Sequence, residues 1–393
     1  LRVAAELSAV MGIGGVIVMS QELGRGDAGA ARHTAETACM ANLWTGLVLT
    51  LAMALGGPAI LHLMALAPEL EAGARRYLIW SAAAMVFLCF GNTAVAVLRG
   101  HGRSRLVMAM GLGGAALYLA LEYALVLGPG PVPALGVTGA GLANLATRIV
   151  IAAVLAVVLS RVLGLSLSFA ALRGQGARIR RMIALALPSV SDFIAYGFYQ
   201  IVLIGVIATE GEVALLARAY VMIAMAFLTL VIMAVVQGTE VMIGYRLGAG
   251  LDAEARRMGL RGAVVAAGLS AACATAIWAL AGPFLGLFTA DPLVVALSRD
   301  LLWITIFLQP CFAVNMVLFH ALRAVEDVRW PVLVSQGLSW GAGLPLAWAL
   351  CGPAGYGVAG VWMAFLAEEL AKALAMSWRW RQGGRAAAEG PAA

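Results

Sequence analysis

The sequence predicts an all-α protein threaded many times through a membrane, and three observations carry that prediction. Hydrophobic residues make up 63% of the 393, while charged residues make up 12%. Mean hydropathy is +0.94. A soluble domain is about half apolar and a quarter charged. Finally, segments 35–66 and 263–289 exceed the roughly 20 apolar residues a membrane-spanning helix requires, and their unbroken runs exclude a membrane barrel, whose strands alternate in polarity.

Cutting the chain at polar and Gly/Pro punctuation gives eleven apolar spans. The first five are 3–22, 35–66, 76–98, 106–128 and 136–163. The remaining six are 182–208, 213–245, 258–289, 294–322, 330–351 and 357–379. This divides the chain into an N-terminal bundle (1–163), a linker (164–181), a C-terminal six-helix bundle (182–381) and a tail (382–393) expected to be disordered.

Charge is distributed unevenly between successive connections. Alternate loops hold Arg25 and Arg32; Arg99, Arg103 and Arg105; Arg173, Arg178, Arg180 and Arg181; Arg256, Arg257 and Arg261; Arg323 and Arg329; then Arg379, Arg381 and Arg385. The intervening loops hold Glu69 and Glu71, Glu210 and Glu212, Asp291, and Gly/Pro-rich turns. Arg75, Arg76 and Arg299 depart from the pattern. The positive-inside rule puts the arginine-rich loops and the C-terminus in the cytoplasm, with the spans in a bacterial inner membrane.

The net charge of +6 does not point to nucleic acid, because the arginines form no basic face with interleaved aromatics. Cys39, Cys89, Cys273, Cys311 and Cys351 stand singly in apolar runs and read as small core hydrophobes. No nucleophile–base set, phosphate loop or metal spacing stands out, so neither an enzyme nor a cofactor is expected. Met and Trp residues of the C-terminal half suit aromatic ligands, but equally suit lipid-facing or core positions.

An internal repeat organises the chain. SQELGRGDAGAAR (20–32) and GYRLGAGLDAEAR (244–256) share one rhythm, and Gly24/Gly248, Gly26/Gly250 and Arg32/Arg256 are each separated by 248 − 24 = 224 residues. The same offset relates Pro68/Pro292, Leu98/Leu322, Arg99/Arg323 and Arg105/Arg329. LGVTGAG (135–141) matches YGVAGVW (356–362) at 356 − 135 = 221, a slip of three. An even number of helices separates the copies, so the halves share one orientation about an axis along the membrane normal, as in many secondary transporters. The partner of ALPSVSDFIAYGFYQ (186–200) would fall before Leu1. The repeat therefore predicts about 40 preceding residues, one helix and part of another, in a twelve-helix parent.

SQELGRGD, VLRGHGRSR (97–105), LEYALVLGPGPVPALGVTGAGLANLATR (121–148), HALRAVEDVRWP (320–331) and GVAGVWMAFLAEEL (357–370) together resemble the multidrug and toxic compound extrusion (MATE) transporters. That resemblance implies two six-helix bundles alternating between inward- and outward-open states. It implies a monomer that exports cationic or amphipathic small organic compounds in exchange for protons or sodium. Two other readings are a flippase for a lipid-linked precursor, which needs several cavity cations beyond Arg148, Arg2 and Arg218, and an inactive truncated gene product.

Coupling needs an intramembrane acid with two states, and acids in lipid are functional candidates. Glu122 matches the acid of the family's N-x-x-x-D pattern on helix five, with Tyr118 where the family has Asn. A phenol in place of an amide carbonyl favours proton over sodium coupling; simple hydration from the nearby helix end is the plainer reading. Glu6 either joins Glu122 or pairs with Arg2 at i,i+4. The family's helix-one carboxylate would precede Leu1. Asp192 follows Pro188 by four residues, whereas the family's helix-seven Glu aligns with Tyr196 and one branch's helix-ten acid with Phe312. Asp192 is therefore a partial substitute, with Gln200 nearby. Arg148 and Glu369 occupy matching places in the halves, with Glu368 and Lys372 alongside, and read as structural or gating intramembrane charges, Arg148 needing a carboxylate or carbonyl partner. Glu240 is expected to snorkel or to pair with Arg246.

Overall fold

The structure, a computed structural model, describes residues 2–63, 68–129 and 133–383. Segment 384–393, which holds Arg385 and most of the expected tail, lies outside the described residues, as do the side chains of Arg2 and Glu69. Each of the eleven expected spans is helical over most of its described residues, and the described residues hold no strand.

The chain forms α1 (Arg2–Leu7), α2 (Val10–Gly24), α3 (Ala28–Leu63), α4 (Pro68–Gly100), α5 (Ser104–Glu122) and α6 (Val137–Val162). It continues through α7 (Gly176–Ala208), α8 (Glu212–Gly248), α9 (Asp252–Ala279), α10 (Ala281–Leu285) and α11 (Pro292–Ala324). It ends with α12 (Arg329–Leu338), α13 (Leu344–Cys351) and α14 (Gly357–Arg381). Nine spans among the described residues are long and apolar enough to cross a membrane. The other two expected spans are α12–α13, divided by a π turn at Ser339–Gly343, and α14, which carries Glu368, Glu369 and Lys372.

Several breaks were not apparent from periodicity. The first span divides at Ser8–Ala9, where Ser8 Oγ donates to the Ala5 carbonyl at 2.5 Å and Asn42 donates to the Ser8 carbonyl at 2.8 Å. The eighth span ends early at Ala279 and resumes as α10. Pro283 has no N–H to continue the ladder. A π turn, Tyr123–Leu127, also follows Glu122 directly. Two helix starts are capped by aspartates: Asp27 Oδ1 accepts from Ala30 N at 2.8 Å, and Asp291 Oδ1 from Leu293 N at 2.9 Å.

Two compact units divide at Val190/Ser191, inside α7. In the first, α4 packs against α2, α3 and α6, with α5 on α6. Its core joins Met19, Cys39, Phe90, Leu98, Leu155 and Leu159. Only Gly114 of α5 is buried, so this helix offers its faces to lipid or cavity. In the second unit, α11 packs against α8, α9 and α14. Its cores are rich in alanine, since without a hydrophobic drive in lipid, close approach of small residues supplies the packing.

The repeat is visible at atomic detail. Gly26 and Gly250 have φ of +79° and +72°. Asp27 N donates to the Glu22 carbonyl and Leu251 N to the Arg246 carbonyl, so each helix closes with the same left-handed cap. The α4 and α11 ends repeat it, Arg103 N donating to the Leu98 carbonyl and Asp327 N to the Leu322 carbonyl. Gly102 stands in the left-handed position of one and Glu326 (φ +66°) in that of the other.

Candidate functional site

In the first unit, α5 carries Tyr118 and Glu122 one turn apart, and the phenol donates to Glu122 Oε1 at 3.1 Å. Both are half-buried. The i,i+4 spacing alone puts them on one face. Arg148 of α6 is half-buried and lies in electrostatic range of Tyr118. Of the two partners expected for Arg148, a carboxylate or backbone carbonyls, no carboxylate reaches ion-pair distance among the described residues. Glu6 on α1 is half-buried, and among the described residues it neither contacts Glu122 nor forms an ion pair. Its alternative partner, the Arg2 side chain, lies outside the described residues.

The sequence did not single out the amide cluster beside Glu6. Asn42 Nδ2 lies 2.8 Å from the Ser8 carbonyl, 2.6 Å from the Cys89 carbonyl and 2.7 Å from Thr93 Oγ1. Asn92 donates to Ser8 Oγ at 2.7 Å. These contacts fix the break that sets α1, and with it Glu6, apart from α2. At the arginine-rich end Glu22 accepts from Thr34 Oγ1 at 2.6 Å, with Arg178 at 3.8 Å. Glu36 accepts from Arg32 Nε at 3.1 Å and from the Ser166 backbone at 2.7 Å.

The second unit holds a larger buried polar network. Asp192 of α7 accepts from Gln336 of α12 at 2.6 Å. Gln200 donates to Tyr196 Oη at 2.6 Å and accepts from Arg218 at 3.0 Å. From α14, Glu368 accepts from Lys372 at 2.6 Å, Ser339 at 2.7 Å and Tyr199 at 2.5 Å. Glu369 accepts from Lys372 at 3.1 Å and from Asn315 of α11 at 2.9 Å. The matching position of Arg148 and Glu369 therefore does not give matching chemistry: Glu369 is lysine-bound, whereas Arg148 has no carboxylate partner among the described residues. Asn315 and Tyr199 were invisible as partners because each meets α14 from a distant stretch of chain.

Glu240 corrects one expectation. Instead of reaching out or pairing with Arg246, it is buried and receives both Arg323 Nε at 2.8 Å and Nη2 at 2.9 Å, with His320 Nδ1 at 3.3 Å. Arg246 pairs with Glu254. The fork of an arginine matches a carboxylate in this bidentate way, and Arg323 projects from a helix packed against α8. Among the described residues no group of three His, Cys, Asp or Glu side chains is arranged to hold a metal ion.

Comparison with known proteins places this geometry in context. The MatE family model matches residues 3–124 and 188–349, well over half of the chain. A probable multidrug resistance protein NorM from Pseudomonas aeruginosa is 30% identical over 373 residues, covering 88% of this chain and 74% of its own. The uncharacterized transporter YisQ of Bacillus subtilis is 26% identical over 369 residues, covering 94% and 81%. Among solved structures, a MOP superfamily transporter from Pyrococcus furiosus superposes with a TM-score of 0.88 at 17% identity, covering 97% of this chain and 84% of that one. A variant of the Vibrio cholerae MATE transporter VcmN superposes at 0.86 and 18% identity, covering 97% and 85%.

Proposed function

We infer the function of this chain from the family to which it belongs, the MatE family of multidrug efflux transporters. Within that family we read it as a secondary antiporter: it exports cationic or amphipathic organic compounds and takes up protons in exchange, by alternating access. The arginine-rich loops face the cytoplasm, and the chain acts as a monomer in the inner membrane.

The observation that carries proton coupling is the Tyr118–Glu122 pair. An acid at membrane depth is costly and needs a reason to be there. A half-buried carboxylate can exchange its charge state, binding either a proton or a cationic drug, because each neutralises the same group. Tyr118 donates to the carboxylate and can also accept from the protonated acid, so both states keep a hydrogen bond. An amide at that position would offer a carbonyl oxygen to sodium; the phenol is a poorer ligand, which supports the proton.

In proteoliposomes carrying a pH gradient, the wild-type chain should drive ethidium transport and Glu122→Gln should lose it. Transport by Glu122→Gln at the wild-type rate would overturn the assignment. Replacing sodium with choline at fixed pH should leave the wild-type rate unchanged.

A further inference from the structure

We propose that the arginine-rich end of the second unit holds one anionic phospholipid, its phosphodiester on Arg329 and Arg381 and its glycerol and upper acyl chain against the Trp330–Trp378 pair. The site lies between the start of α12 and the end of α14, and it is independent of the antiport reading above.

The stretch SWRWR (377–381) that ends α14 distributes its side chains by helical periodicity. Trp380 turns inward: it is buried, and its Nε1 donates to the Arg256 carbonyl of α9 at 3.1 Å. Trp378 is 54% exposed and continues an outward stripe through Leu374 (63%) and Leu370, each one turn deeper. Arg381 is exposed three residues beyond Trp378, on the same face. Helix α12 presents the same order from its start: exposed Arg329, then Trp330, then Leu333, which is 72% exposed. The two tryptophan rings meet with centroids 6.1 Å apart. The two stripes thereby form one surface, apolar at depth and cationic at its edge.

The charge of this edge suits an anion. Arg379 is already committed: its Nε donates to Asp327 at 2.7 Å, and its guanidinium lies 5.4 Å from the centre of the Trp330 ring. It neutralises the nearest acid and holds the ring in place. Arg329 and Arg381 form no ion pair among the described residues. With Glu326 counted as well, three arginines stand against two acids, an excess of one positive charge. Val328 gives α12 no side-chain cap, and the uncapped start of a helix favours an anion. Arginine forks match the oxygens of a phosphate two at a time.

A phosphate alone would leave the aromatic surface unused. Tryptophan belongs at the level of the headgroups, where one end of the ring system is apolar and the other wet. Leu374 and Leu370 lie about 6 and 12 Å below Trp378 along the helix, where an acyl chain would run. A molecule with an anion at one end and hydrocarbon at the other covers both parts, which selects a phospholipid over inorganic phosphate or an acidic peptide. A zwitterionic headgroup brings a cation of its own toward the arginines, so the anionic class is favoured.

Native mass spectrometry of the purified full chain, titrated in detergent with phosphatidylglycerol or phosphatidylcholine of the same acyl chains, tests the site. The wild type should bind one phosphatidylglycerol at least about tenfold more tightly than phosphatidylcholine. Arg329→Gln combined with Arg381→Gln should abolish this preference. Arg103→Gln combined with Arg105→Gln, exposed arginines of the first unit, should leave it intact. Trp378→Ala should weaken both lipids, because the apolar contact is common to them. Raising the ammonium acetate concentration should shrink the wild-type preference, a readout that needs no variant. A preference that survives Arg329→Gln with Arg381→Gln, that falls equally in Arg103→Gln with Arg105→Gln, or that ignores salt overturns the proposal. Binding of glycerol phosphate as tightly as the lipid also overturns it, since the site would then be one for bare phosphate.

Discussion

At the scale of single residues, Glu240 illustrates how partner choice follows burial instead of sequence distance. Arg246 is the neighbour six positions away, yet its pair with Glu254 is 42% and 44% exposed. Arg323, 83 residues on, brings two guanidinium donors into a pocket where both partners are about 5% exposed. Removing one member of a buried pair strands the other charge, which costs about 3–5 kcal/mol, whereas an exposed pair contributes about 0–1 kcal/mol. Glu240→Ala should therefore lower the heat-denaturation midpoint in detergent micelles markedly, while Arg246→Ala should barely move it. Equal effects would show that Glu240 is solvated. The candidate residues split along the same line. Tyr118 and Glu122 were legible because they share a helix, and their contact follows from its periodicity. The Asn315–Glu369, Ser339–Glu368 and Gln336–Asp192 contacts cross between helices, and no local pattern encodes them.

At the scale of elements, the helices were legible from apolar length and their ends from Gly, Asp and Pro. The interruptions were not. The break at Ser8 depends on Asn42 and Asn92 arriving from α3 and α4, and the π turns at Tyr123 and Ser339 carry no residue signature of their own. The repeat supplied what periodicity did not. Gly139 and Gly360 occupy equivalent places at the 221 offset (360 − 139), and each lets a helix start pass against backbone. A Cβ on Gly139 would lie 2.3 Å from the Leu125 carbonyl oxygen, and one on Gly360 would lie 2.6 Å from the Leu350 carbonyl carbon. Backbone cannot step aside as a flexible side chain can, so overpacking here should cost about 1–3 kcal/mol or more. Gly139→Ala and Gly360→Ala should each destabilise the detergent-solubilised protein. Gly113→Ala, with nothing within 4 Å of the new methyl, should be neutral or slightly stabilising. If all three behave alike, the close crossings are not what these glycines provide.

At the scale of the whole molecule, composition was sufficient for the fold class, because 63% apolar content in a chain with 12% charge leaves no other home for so much surface than lipid. Orientation rests on a subtler signal, the alternation of arginine-rich and arginine-poor connections. Two of its three exceptions have local contacts. Arg299 lies 5.5 Å from the centre of the Trp278 ring, and Arg76 Nε donates to the Ala72 carbonyl at 3.3 Å. In a variant whose five cysteines are replaced, Arg103→Cys and Arg257→Cys, exposed at arginine-rich ends, should react with an impermeant maleimide only after cells are permeabilised. Glu212→Cys and Asp291→Cys, exposed at the opposite ends, should react in intact cells. The reverse pattern would invert the topology. Mixed labelling of one loop would mean that charge alone does not set the orientation.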